Sequence, residues 1–387
     1  MIGQRGIPAT FGGIEHHVEE LGERLAERGH EVVVYTRTNY VDERARMVRG
    51  MYPRYLSTVG SKHLDAIVHS GLSTIDVMIR RADIVHYHAV GPGIPAFLPR
   101  FLGRTGVVLT VHGLDAERAK WSRSARTVLT AAQWLSARVP DETIVVSREL
   151  QRNYLDRYHR RTTYIPNGVD EGHRRAPDEI IRRFGLRGND YLLFVGRLVP
   201  EKAPDLLVRA FRELGTIHRL VLAGGSSFTD EYVRGLEALV SGDPRILMPG
   251  YVYGTVLEEL YANAAAFVLP STLEGLPLTL LEAASYGVPI VVSDIAPNLE
   301  IVGADGPGHR VFPAGDVVGL RTALRRALTD GAERAGAETL RTDVLASYRW
   351  DDTARMTEAV YERVMPRAKD AVGRPSLGRA IRGAPRR

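Results

Sequence analysis

The chain has 387 residues, a length typical of two domains of about 150–200 residues each. Hydrophobic residues make up 44% and charged residues 25%, as in an ordinary globular protein, and no apolar run reaches the roughly 18–20 residues of a membrane span. The absence of cysteine excludes disulfides and thiolate metal sites, and it fits a cytoplasmic protein.

The net charge of +5 is unevenly distributed along the chain. The segment 367–387 holds seven basic residues and one acidic residue, so it carries +6 and residues 1–366 carry −1. The basic balance therefore belongs to a tail, and no nucleic-acid partner is expected. Its Gly and Pro content predicts disorder. The tail is either a solvated extension or a peripheral attachment to anionic lipid at the inner face of the membrane, with about 1 kcal/mol per basic residue.

Strands and helices alternate through residues 1–170, which predicts a Rossmann-like first domain with a parallel sheet covered on both faces. The predicted strands are Glu31–Arg37, Asp83–His88, Val107–Val111, Glu142–Ser147 and Thr163–Ile165. The predicted helices are Ile14–Arg28, Ser61–Arg80, Ile94–Leu102, Ser122–Val139 and Arg148–His159.

The first strand of such a domain should precede the loop 3–13, yet only Met1 and Ile2 stand before it. We expect the natural start to lie further upstream. Gly12 and Gly13 lead from this loop into the first helix, and two glycines let a backbone approach a diphosphate at a helix N-terminus. A plain turn has the same sequence, so the pair by itself is compatible with either interpretation.

Three histidines, His86, His88 and His112, follow or close predicted strands. The C-terminal ends of strands line the cleft of an open α/β sheet, so a metal site is one interpretation. No Asp or Glu stands with them at ligand spacing, and the chain has no Asp-x-Asp, so no metal site is predicted. We expect His88 to line the acceptor side of the cleft and His86 to be packing.

A turn sequence, Pro166–Asp170, opens a linker that is predicted to run to about Asn189. Residues 171–348 then form a second alternating unit. Its predicted strands are Tyr191–Val195, Arg219–Leu222, Ile246–Met248, Ala266–Leu269, Ile290–Ser293 and His309–Phe312. A last helix, Thr353–Val364, is predicted within residues 349–366.

The stretch Pro270–Pro289 has the most particular pattern in the second unit. An apolar strand ends there, and Glu274–Leu276 forms a glycine turn. Pro277 is predicted to be the first residue of a helix that continues over Leu278–Tyr286. Proline suits this position because the N–H that it lacks would have no partner there. Unpaired N–H groups and the positive end of the helix dipole then converge on one point, which suits an anion.

Two carboxylates frame this point, Glu274 before the helix and Glu282 inside it. Glu282 lies among apolar residues, where a carboxylate is costly unless it is hydrogen-bonded. The vicinal diol of a ribose or a hexose offers two suitable donors. The alternative is a helix cap together with a salt-bridged core carboxylate.

Two cations follow the first strand of the second unit. Arg197 stands just past this strand, and Lys202 opens the next helix, which is predicted to begin near Pro200. Together they are able to neutralise a nucleotide diphosphate without a divalent metal. A surface pair between Arg197 and Glu201 is the alternative.

Five short motifs occur in one order along the chain. They are Phe11–Glu15, Pro166–Asp170, Val195–Lys202, Ala223–Gly225 and the pair of Glu274 with Glu282. In this order and spacing they resemble the retaining family 4 glycosyltransferases of GT-B fold over roughly residues 1–366.

The resemblance implies an α/β fold of two Rossmann-like domains that face each other across a cleft, with a C-terminal helix that crosses back to the first domain. It implies transfer of a hexose or deoxyhexose, with retention, from a nucleotide diphosphate sugar to an acceptor hydroxyl. The acceptor would be a glycan or a lipid-linked glycan in cell-surface polysaccharide or glycolipid assembly. No metal or other cofactor is expected.

The resemblance also implies a role for each site residue. The donor's diphosphate would contact Gly12, Gly13, Arg197, Lys202, Gly275, Leu276, Pro277 and Leu278. The donor sugar would contact His112 and Glu274. The ribose diol would bind Glu282, Gly224 would leave room for the base or ribose, and the backbone at Tyr251 and Val252 would read the base edge.

The loops Gln4–Pro8 and His112–Trp121 resemble a branch that includes rhamnosyltransferases, so rhamnose from a thymidine diphosphate donor is the expected sugar. Arg118 and Lys120 either face an acceptor phosphate or are solvated. A nucleotide-sugar epimerase of the same fold and an inert scaffold of a glycan assembly complex are the alternatives from other classes. The short chain argues against a glycogen- or sucrose-type synthase.

Overall fold

The computed structural model describes residues 1–9, 12–41, 44–58, 65–114, 123–226 and 229–365. The alternation of strands and helices is confirmed in both halves of the chain, and each half builds a parallel sheet. The basic tail, Phe11 and most of the loop that contains Arg118 and Lys120 lie outside the described residues.

The first unit has its strands close to the predicted bounds. They are β1 (Val33–Arg37), β2 (Tyr52–Leu56), β3 (Ile84–His88), β4 (Gly106–Val111), β5 (Glu142–Val145) and β6 (Thr163–Tyr164). Its helices are α1 (Gly13–Glu27), α2 (Asp65–Arg80), α3 (Phe97–Leu102), α4 (Arg123–Arg138) and α5 (Arg148–Tyr158). The predicted helix Ile94–Leu102 is wrong at its start, because Ile94–Ala96 forms a separate 3-10 turn. Strand β2 was not predicted.

The N-terminal dipeptide joins the two sheets of this unit. Strands β3, β4, β5 and β6 lie side by side and parallel, and β1 pairs in parallel with β2. Ile2 donates to the carbonyl of His86 (2.9 Å) and accepts from the N–H of His88 (2.7 Å), while the carbonyl of Met1 accepts from Tyr35 (3.1 Å). Met1 and Ile2 thus occupy the place of a central strand between β1 and β3.

The second unit has all six predicted strands. They are β7 (Tyr191–Val195), β8 (Arg219–Ala223), β9 (Ile246–Gly250), β10 (Ala266–Leu269), β11 (Ile290–Ser293) and β12 (His309–Phe312). Its helices are α6 (Glu179–Phe184), α7 (Pro204–Arg212), α8 (Asp230–Val240), α9 (Gly254–Ala262), α10 (Leu278–Ser285), α11 (Ala296–Val302), α12 (Val317–Thr329) and α13 (Glu333–Ser347).

The order of strands in the second sheet determines where a ligand can bind. The order is β12-β11-β10-β7-β8-β9, and all pairs are parallel. The chain runs outward from β7 to one edge and then returns to β10 on the other side of β7, so the strand order reverses between β7 and β10. Ligands of open α/β sheets bind in the crevice at this switch point, beyond the carboxyl ends of the strands.

The predicted linker Pro166–Asn189 contains a short helix, α6, which the sequence did not indicate. Six residues are too few for a clear periodic pattern. The carboxylate of Glu259 in α9 accepts the backbone N–H groups of Asp178 (2.9 Å) and Ile180 (3.0 Å). The backbone N–H groups at the start of α6, which have no partner inside the helix, are therefore hydrogen-bonded by a residue far away in the sequence.

The last helix, α14 (Trp350–Val364), returns to the first unit and packs against α1 and β4. Trp350 and Tyr361 are buried, and the Tyr361 hydroxyl lies 2.7 Å from Nδ1 of His86 in β3. Among the described helices, none combines the length and the apolar composition needed to cross a membrane.

Candidate active site

A cleft of about 840 Å³ lies between the two sheets, beyond the carboxyl ends of their strands. All the residues that the sequence predicted for the site border this cleft. They are Gly12, Gly13, His112, Arg197, Lys202, Gly224, Tyr251, Val252, Glu274, Gly275, Leu276, Pro277, Leu278 and Glu282. The loops after parallel strands share one edge of a sheet, so residues distant in sequence converge here.

Two helix N-termini face each other across the cleft. Gly12 caps α1 with φ 86°, a conformation that favours glycine, and a methyl group on Gly13 would lie 3.3 Å from Cδ1 of Leu278 at the start of α10. Neither helix has a side-chain cap. The positive ends of two helix dipoles therefore point into one space, which favours an anion.

The loop before α1 is held by carboxylates of that helix. Glu15 accepts the N–H of Arg5 (3.0 Å), and Glu19 accepts the N–H of Ala9 (2.5 Å). Both carboxylates are buried. They fix the loop beside the cleft, and Glu15 does so from the first turn of α1, where its Oε2 would lie 2.7 Å from a Cβ at Gly12.

The turn before α10 touches the first domain directly. A Cβ on Gly275 would lie 1.9 Å from the backbone oxygen of His112, so only glycine permits this approach. Pro277 is the N-cap of α10, with φ −74° and ψ 111°, and the helix begins at Leu278. The prediction of Pro277 as the first helical residue is therefore wrong by one position, because its ψ is still extended.

Lys202 and Glu274 form an ion pair at the switch point, with Nζ and Oε1 2.7 Å apart and side chains only 12% and 10% exposed. The hydroxyl of Ser271 donates to the same carboxylate (2.6 Å). Lys202 lies in a 3-10 turn, Pro200–Lys202, and α7 begins only at Pro204. Arg197, half-buried, borders the same cleft. Lys202 thus contacts the turn before α10, and both predicted cations border the cleft.

Glu282 projects from α10 into the cleft and is half-buried. The Tyr261 hydroxyl donates to its Oε2 (2.8 Å), and Nε2 of His16, from α1 of the other domain, lies 3.8 Å from Oε1. Burial raises the pKa of Glu282, and His16 and Tyr261 oppose the rise. When ionised, this carboxylate is able to accept hydrogen bonds from a ligand in the cleft.

The histidines are arranged differently from the sequence expectation. His112 borders the cleft, as expected for a site residue. His88 is fully buried, so the prediction that it lines the acceptor side is wrong: His17 and His112 cover it on the cleft side. His86 is also buried, between the hydroxyls of Tyr361 and Thr110 (2.7 Å each).

His17, His88 and His112 each offer one nitrogen within 4.8 Å of the others. Nδ1 of His88 lies 3.2 Å from Nε2 of His112, which accounts for two of these nitrogens as a hydrogen-bonded pair. Burial lowers the pKa of His17 to about 4 and that of His88 well below its usual value, so both rings are neutral near pH 7. Neutral imidazoles also suit a metal, and this arrangement requires a direct test of the metal-free expectation.

Asn167 connects this histidine group to the turn before α10. Its Nδ2 donates to the carbonyl of Leu276 (2.9 Å), and its Oδ1 faces Nδ1 of His17 (2.9 Å). The bond to Leu276 fixes the orientation of the amide, so the hydrogen of His17 lies on Nδ1 and Nε2 is left as a buried acceptor without a partner among the described residues. Neither Asn167 nor His17 was predicted as a site residue, although the turn Pro-Asn-Gly marked the position of Asn167.

Gly224 borders the cleft and is also needed for close packing. A Cβ at Gly224 would lie 1.8 Å from the carbonyl oxygen of Gly196, and one at Gly225 would lie 2.5 Å from the ring of Tyr251. The room that Gly224 leaves for a base or ribose stays a prediction. The Tyr251 hydroxyl donates to the carbonyl of Ser226 (2.9 Å), and its ring stacks with that of Tyr253.

Glu201 is a further cleft residue to which the sequence assigned no role of its own. Its side chain is buried, and neither carboxylate oxygen has a hydrogen-bond partner among the described residues. It makes no hydrogen bond to Arg197, so the alternative of a surface pair between them is not observed. A buried carboxylate without a partner is costly and is able to accept donors from a ligand.

Comparison with known proteins agrees with this architecture. The family described as Glycosyltransferase Family 4 matches residues 11–173, and the family described as Glycosyl transferases group 1 matches residues 189–330. The chain is 29% identical over 394 residues to a glycogen synthase of Mycobacterium tuberculosis, with 93% of each chain covered.

Solved structures share the fold at low sequence identity. Sucrose-phosphate synthase of Thermosynechococcus elongatus superposes with a TM-score of 0.79 at 22% identity, over 91% of this chain and 93% of that one. HepE of Anabaena, solved in complex with UDP and glucose, gives a TM-score of 0.76 at 16% identity, over 91% and 96%. The length argument against a glycogen- or sucrose-type synthase is therefore wrong, because the chain spans 93% of both relatives.

Two facing parallel-sheet domains with a polar cleft at the carboxyl ends of their strands make up the GT-B fold. The chain is a glycosyltransferase of the family 4, GT-B type.

Proposed function

We propose that the protein transfers a hexose or deoxyhexose from a nucleotide diphosphate sugar to an acceptor hydroxyl, with retention of the anomeric configuration, in cell-surface polysaccharide or glycolipid assembly. One observation carries the proposal. The N-termini of α1 and α10, Arg197 and Lys202 all border one cleft at the switch point of the second sheet. The UDP bound by HepE supports a nucleotide diphosphate as the occupant.

In this proposal the diphosphate lies between the two helix N-termini. Lys202 has three donor hydrogens, so one contact to Glu274 leaves two for phosphate oxygens. Arg197 adds a planar donor, and no divalent metal is required. These groups would stabilise the charge that develops on the leaving oxygen as the glycosidic bond breaks.

The sugar and ribose are assigned to the carboxylates and to His112. Glu274 would accept sugar hydroxyls, and His112 would contact the sugar from the first domain. Glu282, held by Tyr261, would accept the ribose diol. The resemblance of the loop Gln4–Pro8 to rhamnosyltransferases supports a thymidine diphosphate deoxyhexose as the first donor to try, and the acceptor would be a glycan or a lipid-linked glycan.

The test measures release of nucleoside diphosphate by the full-length chain from UDP-, dTDP- and GDP-sugars. Lys202→Met should lower kcat by about 10²–10³, as removal of one oxyanion donor does in other enzymes. Arg209→Met is the control, because Arg209 lies exposed on the neighbouring helix α7 and pairs with Asp205 (3.5 Å). Product stereochemistry, read by NMR, tests retention.

Other results would overturn the proposal. Wild-type turnover by Lys202→Met would refute the site assignment. Conversion of the donor to an epimer without acceptor would indicate an isomerase. Binding of the donor without turnover of any donor and acceptor pair would indicate a scaffold.

A further inference from the structure

Helices α1 and α10 still face each other one turn beyond their N-termini. Their starts meet at Gly13 and Leu278, since a methyl group on Gly13 would lie 3.3 Å from Cδ1 of Leu278. His16 follows Gly13 by three residues, and Glu282 follows Leu278 by four. Residues three or four apart share one face of a helix, so His16 and Glu282 meet across the cleft as well. Nε2 of His16 lies 3.8 Å from Oε1 of Glu282.

The two facing atoms are both available to a ligand. Their separation of 3.8 Å is too long for a hydrogen bond. The other oxygen of Glu282, Oε2, already accepts the hydroxyl of Tyr261 (2.8 Å). The side chains of His16 and Glu282 are 41% and 28% exposed, and both residues border the cleft. Each residue therefore presents one polar atom that is able to bind a ligand between the domains.

The ring of His16 is supported by its own domain. Trp350, buried at the start of α14, meets this ring edge to face, with the ring centroids 6.1 Å apart. Glu20 lies one turn further along α1, but its carboxylate is already bonded to Arg24 and Arg49 (2.6 Å each). The nearest unsatisfied carboxylate oxygen for His16 is therefore Oε1 of Glu282, on the second domain.

The covalent order of a nucleotide indicates what lies between His16 and Glu282. In the proposed function the diphosphate occupies the space between the N-termini of α1 and α10. One helical turn rises about 5.4 Å, so His16 and Glu282 lie one step beyond the diphosphate along both helices. In a nucleoside diphosphate the ribose is the group bonded directly to the diphosphate. Its adjacent hydroxyls each donate and accept hydrogen bonds, which suits a carboxylate on one side and an imidazole on the other.

We propose that His16 completes the ribose site from the first domain, so that the ribose of the donor is held between His16 and Glu282. The inference rests on the proposed function, which assigns the ribose to Glu282 of the second domain. One ribose hydroxyl donates to Oε1 of Glu282, and Nε2 of His16 forms a hydrogen bond with a hydroxyl of the same ribose. His16 is then a specificity residue, because it favours a nucleotide that carries this hydroxyl.

The test measures dissociation constants by calorimetry on the full chain. The probes are UDP and GDP, each with its 2′-deoxy and 3′-deoxy forms, and dTDP with its 3′-deoxy form. We expect His16→Leu to weaken binding of the tightest nucleotide about fivefold, which corresponds to one hydrogen bond. Wild type and His16→Leu should bind equally the deoxy form that lacks the hydroxyl contacted by His16. That form identifies the hydroxyl.

Two controls separate this role from packing and from charge. Leucine keeps an apolar side chain against Trp350, and His173→Leu, at an exposed position that does not border the cleft, should bind every probe like the wild type. Inorganic pyrophosphate has no ribose, so the wild type and His16→Leu should bind it equally.

Two results would overturn the inference and leave the proposed function intact. In the first, His16→Leu binds every nucleotide like the wild type. In the second, His16→Leu weakens all probes by the same factor, pyrophosphate included, which would assign His16 to the diphosphate. If the wild type binds none of the nucleoside diphosphates, the proposed function fails, and this inference fails with it.

Discussion

Asn167 and Leu276 are joined across the cleft by a hydrogen bond of 2.9 Å, from the side-chain amide of one to the carbonyl of the other. Asn167 follows the last strand of the first sheet, and Leu276 belongs to the turn that starts α10. The same amide holds the ring of His17. One side chain therefore sets the position of the anion-binding turn relative to the first domain.

Removal of this amide should misplace the turn. We expect Asn167→Ala to lower kcat more than it raises KM for the donor, because binding groups remain while their alignment is lost. The free energy of unfolding should fall by about 1–3 kcal/mol, since a buried carbonyl and a ring nitrogen lose their partner. Asn153→Ala is the control, because Oδ1 of Asn153 has no partner among the described residues. Unchanged kinetics would show that the bond does not position the turn.

A methyl group at Gly275 should separate the two domains. It would lie 1.9 Å from the backbone oxygen of His112, which has no flexible end that can move aside. We expect Gly275→Ala to reduce turnover at least a hundredfold. Gly235→Ala is the control, because nothing lies within 4 Å of its added Cβ in the exposed helix α8, and alanine there should raise stability by about 0.5–1 kcal/mol. Comparable turnover in the two variants would contradict the close contact.

Buried histidines should make the fold sensitive to acid. Burial lowers the pKa of His17 and His69 to about 4 and those of His86 and His88 well below the usual 6.5. Between pH 6.5 and 4 the unfolded chain binds protons that the folded chain does not, so the stability present above pH 6.5 is lost as the pH falls. The raised pKa values of Glu282 and Glu300 act in the opposite sense, but they are two carboxylates against four histidines.

Denaturant unfolding at several pH values measures this dependence. We expect His69→Gln to remove on the order of 3 kcal/mol of the loss between pH 6.5 and 4, because burial lowers the pKa of His69 from 6.5 to about 4. His173→Gln, at an exposed position, should leave the dependence unchanged. A flat wild-type profile would mean that the four rings are solvated or paired in solution.

Metal removal tests the metal-free scheme at the group of His17, His88 and His112. We expect dialysis against EDTA to leave turnover unchanged and elemental analysis to find less than one metal ion per chain, because the proposed charge neutralisation comes from Arg197 and Lys202. A requirement for Mn²⁺ or Mg²⁺, or stoichiometric zinc that is lost in His88→Gln, would assign the three nitrogens to a metal.

Local patterns in the sequence were sufficient to predict the strands of the second sheet. All six strands of the second unit were predicted within two residues of their observed ends, because continuous apolar runs bounded by turn residues are typical of buried parallel strands. Strand β2 was missed because Pro53 and mostly half-exposed residues give it neither an apolar run nor clear alternation. Helix α6 was missed because its start is satisfied by Glu259, about 80 residues away.

The sequence by itself determined the α/β alternation and the set of loops that meet at the cleft, since turn chemistry and apolar runs are local and parallel strands bring their carboxyl ends to one edge. Only the tertiary structure decided how the polar groups of the cleft are paired. The partners in the bonds Lys202–Glu274, Asn167–Leu276 and Tyr261–Glu282 are 72, 109 and 21 residues apart, so no local pattern encodes them. For the same reason, the burial of His88 and the exposure of Leu72, Ile75 and Ile79 on α2 followed only from the packing of the chain.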